Sequence, residues 1–302
     1  MSTIMLATDL SEEARGAADW AFEWASGQDT DPVKIVVVHV ITTDELALRR
    51  VVYNVSDDEH LEAIQEEVIE WLAPHRREDV DIEIAVYAGS PIRELRRASE
   101  EHGPSWLVLA MSGKGFLGKL FLGSTASRIA HDPPCPTFIH HPDGIDSKTP
   151  HVIAAMDFSE TSAKAALGAA RVAKLMGGRL SLVHVIELPK MVPSLAESTI
   201  HPQSISKHIE DSTTWAREQL AEFVAGHPGD FVNLATTLEV LPGYPAHELI
   251  AFARAEGGDI LVLGNAGRSA LGNFLMGSVA TRVVQDMPCT ILIFPAVKPV
   301  DS

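Results

Sequence analysis

The sequence predicts an α/β protein made of two tandem domains, each built on a five-stranded parallel sheet. Three observations carry that prediction. The 302-residue chain is written twice. Within each copy, strand-like and helix-like segments alternate. Several of the strand-like runs are apolar along their whole length, as strands covered on both faces must be.

The repetition is visible by eye. IMLATDLSEEARGAADWA near the start resembles VIAAMDFSETSAKAALGA from residue 152, and VVVHVI resembles SLVHVI. AGSPIREL resembles PGYPAHEL, and WLVLAMSGKGFLGKLFLGSTASRIAHDPPCP resembles ILVLGNAGRSALGNFLMGSVATRVVQDMPCT. Asp9 and Asp157 stand 148 positions apart, and His39 and His184 stand 145 apart. The pairs Gly113 and Gly267, Gly123 and Gly277, and Cys135 and Cys289 are each separated by 154. The two cysteines are therefore one position copied. Between the copies lies HHPDGIDSKTP, residues 140–150, which is rich in turn formers. The expected domains are 1–146 and 147–302.

In the first copy, TIMLAT predicts a short strand and EEARGAADWAFEWA the helix behind it. VKIVVVHVI is rich in β-branched residues and predicts a buried strand. TTDELALRRVVYNVSD predicts a long connection, matched in the second copy by ELPKMVPSLAESTIHPQS; connections of that length are often functional or mobile. DDEHLEAIQEEVIEWLAPH has apolar residues near helical spacing. VDIEIAVYA alternates as a strand, and PIRELRRASEEH predicts a helix whose Pro91 sits where a missing N–H does no harm. SWLVLAM predicts a buried strand, followed by a glycine loop, a short helix and the strand CPTFIH. The second copy repeats this order. Strands separated by helices pair in parallel through right-handed crossovers, and open sheets of this kind bind ligands beyond the carboxyl ends of their strands. Asp9 and Asp157 follow strand one, and the glycine loops follow strand four. If those strands are neighbours, both features meet in one crevice.

The second glycine loop is the most informative stretch. GNAGRSALGNFLMGSVATRVV carries Gly264, Gly267 and Gly277, with Ser278 directly behind, in the spacing G-x2-G-x9-G-[ST]. Glycines turn sharply and expose backbone amides. A helix starting behind them adds its unpaired N–H groups and the positive end of its dipole. The product is an anion site suited to phosphate. No Asp or Glu occurs from residue 264 to 285, and Arg268 supplies a cation. Ser278 is placed to cap the helix or to donate to a phosphate oxygen. The plainer reading is a structural turn with a capping serine. Asp9 and Asp157 each open D-x-S-E before a helix, which reads either as an N-terminal cap or as a carboxylate facing a ligand.

This loop, its place after strand four, Asp157 after strand one and the final PCTILIF resemble the universal stress protein family along nearly the whole chain. The resemblance implies a Rossmann-like domain of the adenine nucleotide alpha hydrolase type, present twice, that binds ATP, AMP or ADP at this loop. It implies that Gly264, Gly267, Gly277, Ser278 and Val279 surround the ribose and phosphates, and that Asp157 and Val185 hold the adenosine end. The matching first-copy positions are Asp9, Val40, Gly113, Gly123 and Ser124. There Ala110 takes the place of Gly264, so its methyl is expected to crowd the ligand or to demand a backbone angle that alanine tolerates poorly. Site two is the expected working site and site one the weaker. Family members commonly pair through their last strands, which implies an intramolecular pseudo-dimer or a homodimer here. Magnesium is expected to arrive with the phosphates.

Composition excludes other classes. With 24 basic and 41 acidic residues the net charge is −17, and no basic stretch is present that could serve a nucleic acid. No run of about 18 apolar residues predicts a membrane span, and the N-terminus lacks a signal-peptide pattern, so the expected location is cytoplasmic. His39 and His184 read as packing residues, and the histidines near the join match no zinc spacing. No G-x4-G-K-[ST] motif occurs and the loops hold no paired carboxylates, so catalysis beyond a weak ATPase is not expected. The function expected is that of a regulatory, ATP-binding stress-response protein with an unidentified protein partner. A nucleotide-free scaffold and an adenylating enzyme are the alternatives.

Overall fold

The computed structural model describes residues 2–26, 33–53, 57–111, 122–145, 148–187, 202–267 and 276–297. The chain divides into two compact units, one of residues 1–144 with 290–295 and the other of residues 145–289 with 296–302.

The first unit runs β1 (Ser2–Thr8), α1 (Arg15–Ser26), β2 (Val33–Ile41), α2 (Thr43–Tyr53), α3 (Asp57–Leu72), β3 (Asp81–Ala88), α4 (Pro91–His102), β4 (Trp106–Ala110), α5 (Ser124–His131) and β5 (Thr137–His140). Its sheet has the order β3-β2-β1-β4-β5. All four pairings are parallel. The chain's last strand, β10 (Thr290–Phe294), adds to this sheet by antiparallel pairing with β5, Leu292 opposite Phe138. So the fifth strand expected for the second copy packs, by its contacts, with the first unit. The core follows from the sequence's apolar runs. Ile35, Val36, Val37 and Leu107 are wholly buried in the sheet, and Trp20, Trp24 and Trp106 from α1 and β4 cluster around Phe138 with ring centroids 4.3–5.5 Å away.

The second unit runs β6 (His151–Ala155), α6 (Glu160–Leu175), β7 (Arg179–Glu187), α7 (Pro202–Gly226), α8 (Pro228–Phe231), β8 (Thr236–Gly243), α9 (Pro245–Ala255), β9 (Ile260–Gly264) and α10 (Ser278–Asp286). Its order is β9-β6-β7-β8, again parallel throughout. Alanines 165, 166, 169, 170 and 173 give α6 a flat buried face, which lets the helix lie close on β6 and β9.

One element departs from the sequence reading. The stretch from Thr42 was expected to be a connection, yet α2 forms there. Thr42 Oγ1 accepts from the Glu45 amide at 3.2 Å, and Asp44 and Glu45 face the positive helix end. Its apolar residues point outward: Leu48, Val51 and Val52 are 63%, 83% and 60% exposed, so no buried stripe announced the helix. Much of the corresponding connection in the second copy, 188–201, lies outside the described residues.

Candidate functional site

In both units the first and fourth strands are neighbours, β1 beside β4 and β6 beside β9. This reversal of strand order opens a crevice at their carboxyl ends. A cleft lies there in each unit, of about 690 Å³ in the second and about 290 Å³ in the first. Only the larger falls well inside the range of small-molecule sites, ~300–1,000 Å³.

The second-unit cleft brings together Asp157, Val185, Gly264, Gly267, Gly277, Ser278 and Val279. All seven positions singled out in the sequence therefore line one space. The first-unit cleft holds Asp9, Val40, Gly123 and Ser124, with Ala110 beside them. Gly113 and Arg268 lie outside the described residues.

Each Asp-x-Ser turn is built the same way. Asp157 Oδ1 accepts from the Ser159 amide at 3.0 Å and from Ser159 Oγ at 2.6 Å. Ser159 Oγ then accepts from the Ser162 amide and caps α6. Asp9 and Ser11 repeat this, with 3.0 Å and 2.5 Å contacts. The cap and the aimed carboxylate are thus one device, since the serine that starts the helix also fixes the aspartate. The residue between them is left-handed in both copies, Leu10 at φ 61° and Phe158 at φ 63°. Such strain in a bulky residue costs about 1–3 kcal/mol and concentrates at functional turns.

The three glycines have three different reasons. A Cβ on Gly267 would stand 2.6 Å from Asp157 Oδ2, so glycine here admits the carboxylate. A Cβ on Gly264 would stand 2.6 Å from Thr161 Cγ2, so glycine there admits α6. Among the described residues Gly277 has no such neighbour. Its Cβ would meet the Asn265 carbonyl oxygen at 3.7 Å and the Gly267 nitrogen at 3.8 Å, both ordinary contacts. Its backbone, φ −61° and ψ 152°, suits any residue. Nothing described in the fold requires glycine at 277.

Gly277 is the N-cap of α10 and Ser278 its first helical residue, and among the described residues no side-chain cap hydrogen bond forms. Of the two readings of Ser278, the N-cap position falls to Gly277 instead, and Ser278 stands in the first turn, lining the cleft. Gly123 and α5 copy this geometry at φ −60°, ψ 153°, also without a side-chain cap. The Gly277 amide donates to the Asn265 carbonyl and the Gly123 amide to the Met111 carbonyl, both at 2.7 Å, tying each loop's end to its start.

Of the two expectations for Ala110, the unfavourable backbone angle does not hold, while its methyl does stand on the cleft wall. Ala110 is not among the described residues with positive φ, so no unusual backbone angle is asked of it. The residue matching Thr161 is Glu13, which is exposed. Glycine at 264 answers a threonine methyl that the first copy does not have.

The sequence reading missed the aromatic rim. Phe158 lies 4.6 Å from the His184 ring and 5.3 Å from the Trp215 ring, centroid to centroid. Trp215 and Tyr244 both line the cleft and remain 45% and 58% exposed. No first-unit lining residue among those described is aromatic. The histidines behave as packing groups: His39 Nδ1 lies 2.9 Å from the Thr8 carbonyl, and His184 Nδ1 lies 2.7 Å from that of Met156. Among the described residues no cluster of three or more His, Cys, Asp or Glu could hold a metal, and no helix is long and apolar enough to cross a membrane.

Fold and cleft together define an open parallel α/β protein of the Rossmann-like class, repeated in tandem, with its crevice between the first and fourth strands. The chain belongs to the universal stress protein family, whose profile matches residues 1–141 and again 148–295. A universal stress protein of Mycolicibacterium smegmatis is 27% identical over 302 residues, spanning 96% of both chains. Universal stress protein Rv2005c of Mycobacterium tuberculosis is 24% identical over 307 residues, with 96% of each chain covered. Among solved structures, a universal stress protein from Archaeoglobus fulgidus matches with a TM-score of 0.64 and 20% identity, covering 97% of this chain and 98% of that one. At that identity the likeness speaks to fold alone.

Proposed function

We propose that this chain is a regulatory protein that binds an adenine nucleotide, ATP foremost, in the second-unit cleft and hydrolyses it slowly or not at all. The carrying observation is Gly277. It sits at the N-terminus of α10, in a backbone geometry open to any residue, with no described side chain capping the helix and no described protein atom near enough to demand glycine. A ligand that approaches the main chain explains why a side chain is kept away. The first-turn amides of α10 and the Ser278 hydroxyl would hold the phosphates, with Gly267 and Val279 beside them. Asp157 and Val185 would hold the adenosine end. Magnesium would enter as the nucleotide's counter-ion, since no described carboxylate pair waits at the helix mouth. Slow turnover follows from the same lack, because rapid phosphoryl hydrolysis needs a placed base and a metal clamp. This reading divides the protein near residue 147 and places it in the cytoplasm.

The smaller first-unit cleft, with Ala110 on its wall and no aromatic rim, favours a weaker or lost site there. Two measurements test the whole. Mass spectrometry of gently purified protein should find adenine nucleotide bound. Calorimetric titration with ATP and magnesium should find one tight site. Two equal tight sites would overturn the proposed asymmetry, and no binding at millimolar nucleotide would overturn the function.

A further inference from the structure

The second-unit cleft has a feature that the glycine loop does not explain. Trp215 is a large aromatic side chain left 45% exposed on the wall of a cavity. The buried face of α7 is carried by Ala216 and Leu220, both wholly buried, and Trp215 stands beside that face. Ser212, one helical turn earlier, lines the same cleft. The Trp215 ring meets Phe158 nearly edge-on, at an interplanar angle of 75° and 5.3 Å between centroids. Phe158 in turn leans on His184 at 37° and 4.6 Å. Phe158 is the residue held left-handed between Asp157 and Ser159, so the strained turn that aims the carboxylate also props the tryptophan. The nearby cleft wall is apolar, with Val185, Ile186 and Leu249. Exposed aromatic surface at a cavity is a ready partner for a flat, weakly polar ring.

Resting on the nucleotide reading above, we propose that Trp215 is the base-stacking residue of the second-unit site, the group that makes it select a planar heterocyclic base over a bare polyphosphate. In this arrangement the helix mouth reads charge and Trp215 reads the ring. The first unit has Leu10 in place of Phe158, Ser90 in place of Tyr244 and no aromatic among its described lining residues, so it lacks this selection.

The chain carries its own reporter. Of five tryptophans, Trp20, Trp24, Trp71 and Trp106 belong to the first half and are each 9% exposed or less, leaving Trp215 alone in the second. Titration of the full chain with Mg-ATP should quench an emission component that is missing in Trp215→Ala, whereas magnesium tripolyphosphate should leave it unchanged. By calorimetry, Trp215→Ala should weaken ATP about 5- to 150-fold, as loss of one base–aromatic stack does. Trp215→Phe should recover most of that loss. Tripolyphosphate affinity should be equal in all three proteins. If wild-type protein binds ATP while Trp215→Ala binds it equally well, or loses tripolyphosphate to the same degree, the stacking role is wrong and the nucleotide site stands. If wild-type protein binds neither ligand, the nucleotide reading itself fails.

Discussion

Replacing Gly277 with valine separates a ligand-facing glycine from a structural one. The fold should accept the change. The new Cβ finds 3.7 Å to the Asn265 oxygen and 3.8 Å to the Gly267 nitrogen, and φ −61° with ψ 152° is a favoured valine conformation. Losing glycine at an N-cap costs about 1 kcal/mol, and reduced freedom of the unfolded chain returns about 0.4–1 kcal/mol. The net change should stay within about 1 kcal/mol, or roughly 2–4 °C in Tm for a domain of this size. Binding should respond differently. The isopropyl group would occupy the space above the first-turn amides and deny a phosphate oxygen at least one charge-assisted hydrogen bond, worth about 1.5–3 kcal/mol. That corresponds to a loss of about 10- to 150-fold in ATP affinity. Thermal unfolding and calorimetric titration on one preparation decide it. Unchanged affinity in a folded variant would refute the placement of phosphate at α10. A collapse in Tm would show that glycine at 277 serves the fold after all.

Gly264→Ala should do the reverse, destabilising the protein by about 1–3 kcal/mol through contact with Thr161, and adding Thr161→Ala should restore most of that in a double-mutant cycle by urea denaturation. Asp157→Asn keeps the Oδ1 acceptor for Ser159, so Tm should hold within about 2 °C while ATP affinity falls about tenfold or more by titration. Burial, with a smaller effect from neighbouring His141, pushes the His140 imidazole down to about 4 from 6.5. Unfolded chain therefore binds more protons than folded chain between those values, so stability is full above about pH 6.5 and falls as pH drops toward 4. The group's share is about 3 kcal/mol, and His140→Leu should flatten the pH dependence of the unfolding free energy, read by urea titration, by about that amount, whereas an unchanged slope would contradict it. Burial also pushes the Cys135 and Cys289 thiols up to about 12, so both should resist alkylation at pH 8 in native protein and react on denaturation.

Most of the architecture was legible because it is written in features that survive without neighbours. VKIVVVHVI is β-branched and apolar on both faces, and it can only be a central strand; β2 forms across all nine of its residues. PIRELRRASEEH announces its own start with proline, and α4 forms from Pro91 to His102. The glycine spacing placed the helix mouth, because its chemistry is carried by the backbone that glycine exposes. What was not legible depends on packing. Helix α2 buries no apolar stripe, so periodicity is silent there. That Gly264 must clear Thr161 while Gly277 meets only ordinary contacts is a matter of distances, which no spacing rule encodes. Trp215 belongs to no motif or spacing that marks it in the sequence. Its meaning lies in standing beside the buried face of α7 and against Phe158, 57 positions earlier in the chain.

The two copies show how a duplicated site can diverge without changing its frame. Both keep the Asp-x-Ser turn, the left-handed residue inside it and the helix with glycine at its N-cap. These are backbone features, and losing one would disturb the strand-to-helix joint as well as any ligand. The differences sit in side chains that the joint does not need: Ala110 for Gly264, Glu13 for Thr161, Leu10 for Phe158 and Ser90 for Tyr244. The first two are coupled, because a methyl at 110 is tolerable only where no threonine methyl faces it. Substituting glycine for Ala110 would therefore relieve no clash. The described lining of the first cleft would still hold no aromatic side chain, whereas Trp215 and Tyr244 line the second, and that contrast in the walls is what a single change at Ala110 leaves in place.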